Sequence, residues 1–250
     1  MVRRVTWIVT CLLVVGVPGL VRADSIEDVQ KKLIESNAKL KSYSCKMKMV
    51  QNLDMGQGNK VQSDYAGTTE WMRKGDKVAL RTDLKGTAVQ SFGGQDNKME
   101  MSVTLVCDGD ALYTLSTQMG QTMATKQKPD DSLGGEPKKF IDNIVAKHNV
   151  KVMPDDKVDG EACFVIEATP KDPADAATIA KTIMYFRKDI GVNVKTVGMD
   201  KDGKEVFSNT SSEFKINADV AADRFVFKAP EGVQVMDMTA GQPPAVNNGP

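Results

Sequence analysis

The sequence predicts a mainly β, α+β fold in which about 10–12 antiparallel strands curl toward a barrel or a strongly bent sheet. Three observations carry this. Apolar and polar residues alternate with period two through most of the chain. Tyr43, Cys45, Met47 and Met49 alternate with Ser44, Lys46 and Lys48; Met99, Met101, Val103, Leu105 and Cys107 alternate with Glu100, Ser102 and Thr104. Turn residues punctuate the runs at short intervals, which joins neighbours in antiparallel fashion. Only two windows carry helical spacing, enough to cover one side of the sheet.

The first 23 residues read as a secretory signal: Arg3 and Arg4, an apolar run from Val5 to Val17, and Val21-Arg22-Ala23 as the cleavage site. The run is shorter than the roughly 20 apolar residues of a spanning helix, and Pro18-Gly19 breaks it. Cys11 lies inside this run rather than after it, so lipid attachment is not expected. Export to the periplasm is expected, with one domain over 24–238 and a disordered tail over 239–250, where TAGQPPAVNNGP has no periodicity.

The elements follow in order. Ser25 caps a helix with Asp28 in capping-box position, and Ile26, Val29, Leu33 and Leu40 form its apolar stripe. Strands are expected at 43–52, 61–73, 76–84, 98–107, 111–118 and 121–128, joined by turns such as Lys74-Gly75-Asp76 and Gly93-Gly94. Pro137 starts a second helix striped by Phe140, Ile141, Ile144 and Val145, which closes near His148-Asn149. Further strands are expected at 150–155, 161–169, 179–188, 192–200 and 204–215, with Asp159-Gly160 and Asp202-Gly203 as hairpin turns, then a short strand from Phe225 to Lys228. No internal repeat and no linker divides the domain.

Composition narrows the function classes. The formal net charge is 0, and without the three arginines of the leader the balance is slightly acidic. A nucleic-acid binder would want a basic excess, and no polybasic patch argues for a standing contact with anionic membrane. Three cysteines remain beyond the leader, Cys45, Cys107 and Cys163, so at least one thiol is unpaired. His148 is the single histidine, which excludes His-based metal clusters, and no nucleophile motif accompanies it. Asp200 to Glu205 has the wrong spacing for a calcium loop. No metal, cofactor or catalytic residue is expected, and the protein is not expected to be an enzyme. The methionine-rich strand faces are either ordinary core or the lining of a cavity that must accept irregular apolar ligands, since methionine is unbranched and repacks easily.

Several segments, taken in order, resemble one family. They are EWMRKGDKVAL, CDGDALYTL, DGEACFVIEATPK, YFRKDIGVNVKTVGMDKDGK and the closing FKINADVAADRFVFKAPEGVQVMD, where Phe225, Phe227, Pro230, Gly232, Val233, Val235 and Asp237 carry the pattern. The chain thus resembles the LolA/LolB-like outer-membrane lipoprotein carrier and sorting proteins over nearly all of its length after the leader. The resemblance implies an incomplete, strongly curved antiparallel β-barrel with helices forming a lid over an apolar cavity. It implies a monomeric carrier that shields the acyl chains of a lipoprotein or other lipid in the periplasm, between an inner-membrane donor and an outer-membrane acceptor protein. A lipoprotein-sensing regulatory module with a signalling partner is the alternative on the same fold. The candidate cavity residues are Tyr43, Met47, Met49, Trp71, Met99, Met101, Leu105, Leu112, Phe164, Ile166, Phe225 and Phe227. Arg73 and Lys74 fall at the family's rim position, with Gly75 where the family has proline, and are expected to act as surface charges in cargo transfer.

Overall fold

The computed structural model describes residues 24–56, 58–129 and 137–239. The signal peptide expected at 1–23, and the tail expected at 239–250 apart from Thr239, lie outside these residues. The described chain runs α1 (Ile26–Asn37), β1 (Ser42–Gly56), β2 (Asn59–Lys74), β3 (Lys77–Phe92), β4 (Gln95–Cys107), β5 (Leu112–Gln118) and β6 (Gln121–Gln127). It continues through α2 (Pro137–Lys147), β7 (His148–Val158), β8 (Glu161–Pro170), β9 (Lys181–Arg187), β10 (Val192–Met199), β11 (Glu205–Ile216) and β12 (Val235–Asp237).

All twelve strands belong to one sheet, in the order β12-β6-β5-β4-β3-β2-β1-β11-β10-β9-β8-β7. Every neighbouring pair is antiparallel except β12 with β6, and the two end strands, β12 and β7, do not pair with each other. The sheet is therefore curved but unclosed. β3 extends well past the expected 84, because Lys85 to Phe92 pairs in unbroken register with β4 although its alternation is weak. Local pattern underestimates a strand whose partner holds it on the backbone alone.

The strand expected at Phe225–Lys228 is not formed. Residues 222–225 make a short 3-10 turn, and β12 lies further on. The two rings of the Phe-x-Phe pattern explain this. Phe225 is fully buried, in a turn that rests on β3, and Phe227 stacks on Tyr113 with centroids 4.8 Å apart. The segment lies over the sheet rather than beside it, so its backbone joins no ladder. Arg224 pins it there through Glu70 at 2.8 Å and Asp83 at 3.5 Å.

The registers put one continuous row across the sheet: Val152, Ile166, Met184, Thr196, Asn209, Met49, Tyr65, Gly86, Met101 and Gln118 are successive partners from β7 to β5. Side chains of these residues share a face, because partners across a ladder point the same way. We call it the inner face. α1 begins with the expected capping box, Ser25 Oγ accepting the Asp28 amide and the Asp28 carboxylate accepting the Ser25 amide. Val29 and Leu33 of α1 and Ile141 of α2 pack on the β8–β9 part of this face, against Phe164, Ile166, Met184 and Phe186. Gln30 joins the helices by donating to Asp142 Oδ1 at 2.7 Å.

The β2–β3 pair holds two glycines at a very close backbone approach. A Cβ on Gly67 would lie 1.8 Å from the Asp83 carbonyl oxygen, and one on Gly86 would lie 1.9 Å from that of Asp64. The two backbones approach more closely there than any side chain permits, the usual reason for glycine at a barrel corner. Gly67→Ala should therefore force the strands apart and cost about 1–3 kcal/mol, as overpacking does. Urea unfolding of the variant measures this; an unchanged midpoint would show that the bend does not depend on that close approach.

Candidate functional site

Residues of β1 to β4 and of β9 to β11 line one cavity of about 320 Å³ on the inner face, and α1 and α2 supply its remaining wall through Asn37, Pro137 and Phe140. The size is at the lower end for a ligand pocket. Its floor is built in rows. Tyr43, Trp71 and Leu80 are successive partners, then Thr69, Thr82 and Leu105, then Met47 and Leu84 on either side of Gly67, and last Met49 beside Asn209. Tyr43 and Met49 are six residues apart on β1, about 20 Å at strand rise, so the cavity is elongated along the strands.

The lining is apolar with polar groups mostly paired among themselves. Thr69 and Thr82 share a hydrogen bond of 3.1 Å, and Thr69 Oγ1 lies 3.9 Å from Met47 Sδ. Asn193 donates to the Tyr185 and Lys195 carbonyls and accepts from Thr196 at 2.9 Å. Among the described lining residues, Trp71 and Asn209 each carry a buried polar atom without a partner, Nε1 and Oδ1. The Tyr43 phenol is pushed well above its ordinary range by burial, with the nearby Cys45 adding to the shift. Burial pushes the Cys45 thiol up to about 11 against weaker opposing hydrogen bonds from Ser211 and the Thr69 backbone. Cys107 and Cys163 are raised for the same reason, and all three cysteines are unpaired. None is a thiolate at neutral pH, so none is an activated nucleophile.

Arg73 ties two lining residues, Asn37 and Trp71, together at one end. Its Nη2 donates to Asn37 Oδ1 at 2.9 Å and to the Asn37 carbonyl at 3.3 Å, and its Nε donates to the Leu40 carbonyl at 3.3 Å. The Asn37 carbonyl, at the last residue of α1, also accepts from the Leu40 amide at 2.9 Å, so the guanidinium adds a second donor to the helix end. The guanidinium also lies 5.3 Å from the centre of the Trp71 ring. Gly191 completes the junction: at φ +65° its bare Cα abuts the helix, and a Cβ would come within 2.3 Å of the Leu33 carbonyl.

The structure brings five of the sequence candidates together in the cavity: Tyr43, Met47, Met49, Trp71 and Leu105. Met99 and Met101 share the inner face but border a separate, more open groove of about 840 Å³ beside Met119. On the inner face Gln118 donates to Met99 Sδ at 2.6 Å and Tyr65 to Met101 Sδ at 3.2 Å. Leu112 is buried beside its partner Cys107, away from the cavity. Phe164 and Ile166 are core beneath the helices. Phe225 and Phe227 lie on the opposite, outer face, as does Lys74, whose ammonium sits 5.7 Å from the Phe225 ring. Leu80, Thr82 and Leu84 of β3 line the cavity and were absent from the sequence candidates; their alternation in VALRTDL was the available signal. Asn193 and Asn209 carry no such signal.

Among the described residues no three His, Cys, Asp or Glu side chains come together as a metal site, and no helix is long and apolar enough to cross a membrane. No family model matches the chain. It is 26% identical over 238 residues to the uncharacterized protein MJ0687 of Methanocaldococcus jannaschii, covering 93% of this chain and 61% of that protein. The chain thus spans about three-fifths of that relative. Among solved structures it is similar to the Pseudomonas aeruginosa MucA/MucB complex, at 13% identity, 81% and 61% coverage and a TM-score of 0.43. It is also similar to a putative outer membrane lipoprotein-sorting protein domain from Vibrio parahaemolyticus, at 12% identity, 80% and 97% coverage and a TM-score of 0.35. Both superpositions lie below 0.5 and assign neither family nor activity.

Replacing Arg73 by alanine should loosen α1 at its C-terminal end, at a cost of about 1.5–3 kcal/mol for hydrogen bonds from a charged group. Hydrogen exchange should quicken at the amides of α1 while β8 and β9 stay protected, and Arg73→Lys should not restore it, since one ammonium lacks the planar fork. Unaltered exchange in α1 would show that the helix is held by its apolar face alone.

Proposed function

We propose that the protein is a carrier that takes up an acyl chain of a lipid or lipoprotein in the cavity between the helices and the inner face. The observation that carries this is the cavity itself: elongated along β1, floored by Met47, Met49, Leu84 and Leu105, with its threonines and Asn193 already paired. Such a lining asks for an apolar, extended ligand. It offers no activated nucleophile, which favours binding over catalysis.

The energetics suit transfer. Burying a 16-carbon chain gains on the order of 10 kcal/mol at about 0.8 kcal/mol per methylene. A membrane offers the same gain, so a carrier needs to match it rather than exceed it. Methionine thioethers adapt to a chain in several positions, which keeps binding from depending on one fixed geometry. On this reading α1 and α2 act as a lid, Arg73 holds its edge, and the protein works in the periplasm between a donor and an acceptor of lipoproteins bound for the outer membrane.

The test is recovery of lipid. The full chain, incubated with phosphatidylcholine vesicles carrying a radiolabelled palmitoyl lipid and then separated by gel filtration, should retain label. Met47→Trp should fill the cavity and reduce retention at least about tenfold, a loss of 1.4 kcal/mol or more, with circular dichroism unchanged. No label on the parent chain, or equal label on the folded variant, would sink the proposal.

A further inference from the structure

β1 to β4 outrun their neighbour β5. The row Met49, Tyr65, Gly86 and Met101 meets the last residue of β5, Gln118. Past that row the four strands run on to two hairpin ends, one between Gly56 and Asn59, the other between Phe92 and Gln95. Met49 and Met55 are six residues apart on β1, about 20 Å at strand rise. The registers assign each side chain of this extension to a face. The inner face continues the cavity floor in two rows. Gln51, Ser63, Ala88 and Met99 are successive partners in the first; Leu53, Val61, Gln90 and Asn97 are successive partners in the second. None of them is charged. The outer face of the same strands carries Asp54, Lys60, Asp64, Asp96, Lys98 and Glu100. At the adjoining hairpin ends apolar side chains stand in the open, Met55 57% exposed and Phe92 52%. One exposed apolar residue is ordinary. Two at neighbouring hairpin ends, heading a face with no charge, make an amphipathic surface with a direction.

We infer that this extension docks on a phospholipid bilayer with its inner face toward the lipid. The inference deepens the carrier reading by naming the surface from which a chain enters the cavity. Docked in this way, Met55 and Phe92 reach the acyl boundary. The amides of Gln90 and Asn97, set back from the tip, lie in the head-group layer, where water and ester carbonyls partner them. Every charge stays on the solvent side, the arrangement by which amphipathic elements lie in a membrane interface. Along β1 an acyl chain passes Met55, Leu53 and Met49 into the cavity without meeting a charge. A protein partner would leave that path without a use. On the outer face acids outnumber lysines, so no basic excess draws the extension to anionic lipid. The attraction is apolar, and a zwitterionic surface suffices.

Asn97 and Lys98 are consecutive on β4, both exposed, and point to opposite faces, so a label at each in turn reads the orientation. The full chain carries Cys11→Ser, which leaves only the buried Cys45, Cys107 and Cys163. An environment-sensitive NBD dye is attached at Asn97→Cys or at Lys98→Cys. On phosphatidylcholine vesicles the label at 97 should brighten several-fold and be quenched by nitroxide-bearing lipid, while the label at 98 should change little. Met55→Asp together with Phe92→Asp should abolish the response at 97 with circular dichroism unchanged, since both sites are exposed. No response at 97, an equal response at both positions, or a response that survives the tip substitutions overturns the docking. The carrier reading is tested apart, by retention of radiolabelled palmitic acid supplied from cyclodextrin with no membrane present. Retention there without a response at 97 overturns the docking and leaves the carrier. A response at 97 without retention upholds the docking and removes the carrier.

Discussion

The structure is governed by a mismatch of areas. Twelve strands at about 4.8 Å spacing make an inner face far wider than two helices of about 10 Å diameter can cover. α1 and α2, of 12 and 11 residues, cover the region of β7 to β9. The apolar residues on β1 to β4 must be sheltered some other way, and the sheet does it by bending over them. Gly67 and Gly86 are where the bend is possible, because side chains there would meet the neighbouring backbone. The cavity is the space left between a sheet that curls and helices that fall short.

That origin bears on the composition of the inner face, inside the cavity and beyond it. A face designed only to be packed would be filled by branched aliphatics. Here Met47, Met49, Met99 and Met101 alternate along two strands, and three of their sulfurs lie within reach of a polar side chain: Thr69, Gln118 or Tyr65. Thioether sulfur is a weak acceptor, so these contacts settle polar groups on an apolar face without fixing them strongly. The surface stays apolar overall and stays adaptable.

The sheet was legible in the sequence because period-two alternation and glycine turns are local signals. The capping box of α1 was legible for the same reason. What could not be read were properties set by partners. Lys85 to Phe92 looks too polar for a strand but is held by β4. Phe225 and Phe227 alternate like a strand, yet Phe225 buries against the outer face and the half-buried Phe227 stacks there on Tyr113. Five cavity residues were legible because Tyr43, Met47, Met49, Trp71 and Leu105 fall on alternating positions of neighbouring strands. Phe164 and Ile166 share that alternation and that face, but the helices sit on them. Periodicity identifies a face; only the placement of α1 and α2 divides it into core and cavity.

Arg73 and Lys74 show the same limit at the scale of one residue. Adjacent in sequence and alike in charge, they read as one basic site. In a strand they must point to opposite sides. Arg73 turns inward to the end of α1 and the face of Trp71, while Lys74 turns outward over Phe225. The arginine therefore joins three parts that meet at one end of the cavity: the last turn of the helix, the tryptophan ring and strand β2. Lysine in its place would keep the charge but could not hold those acceptors in one plane. What the position requires is hydrogen-bonding geometry, and a reading based on charge alone treats as interchangeable two residues that the pleat separates completely.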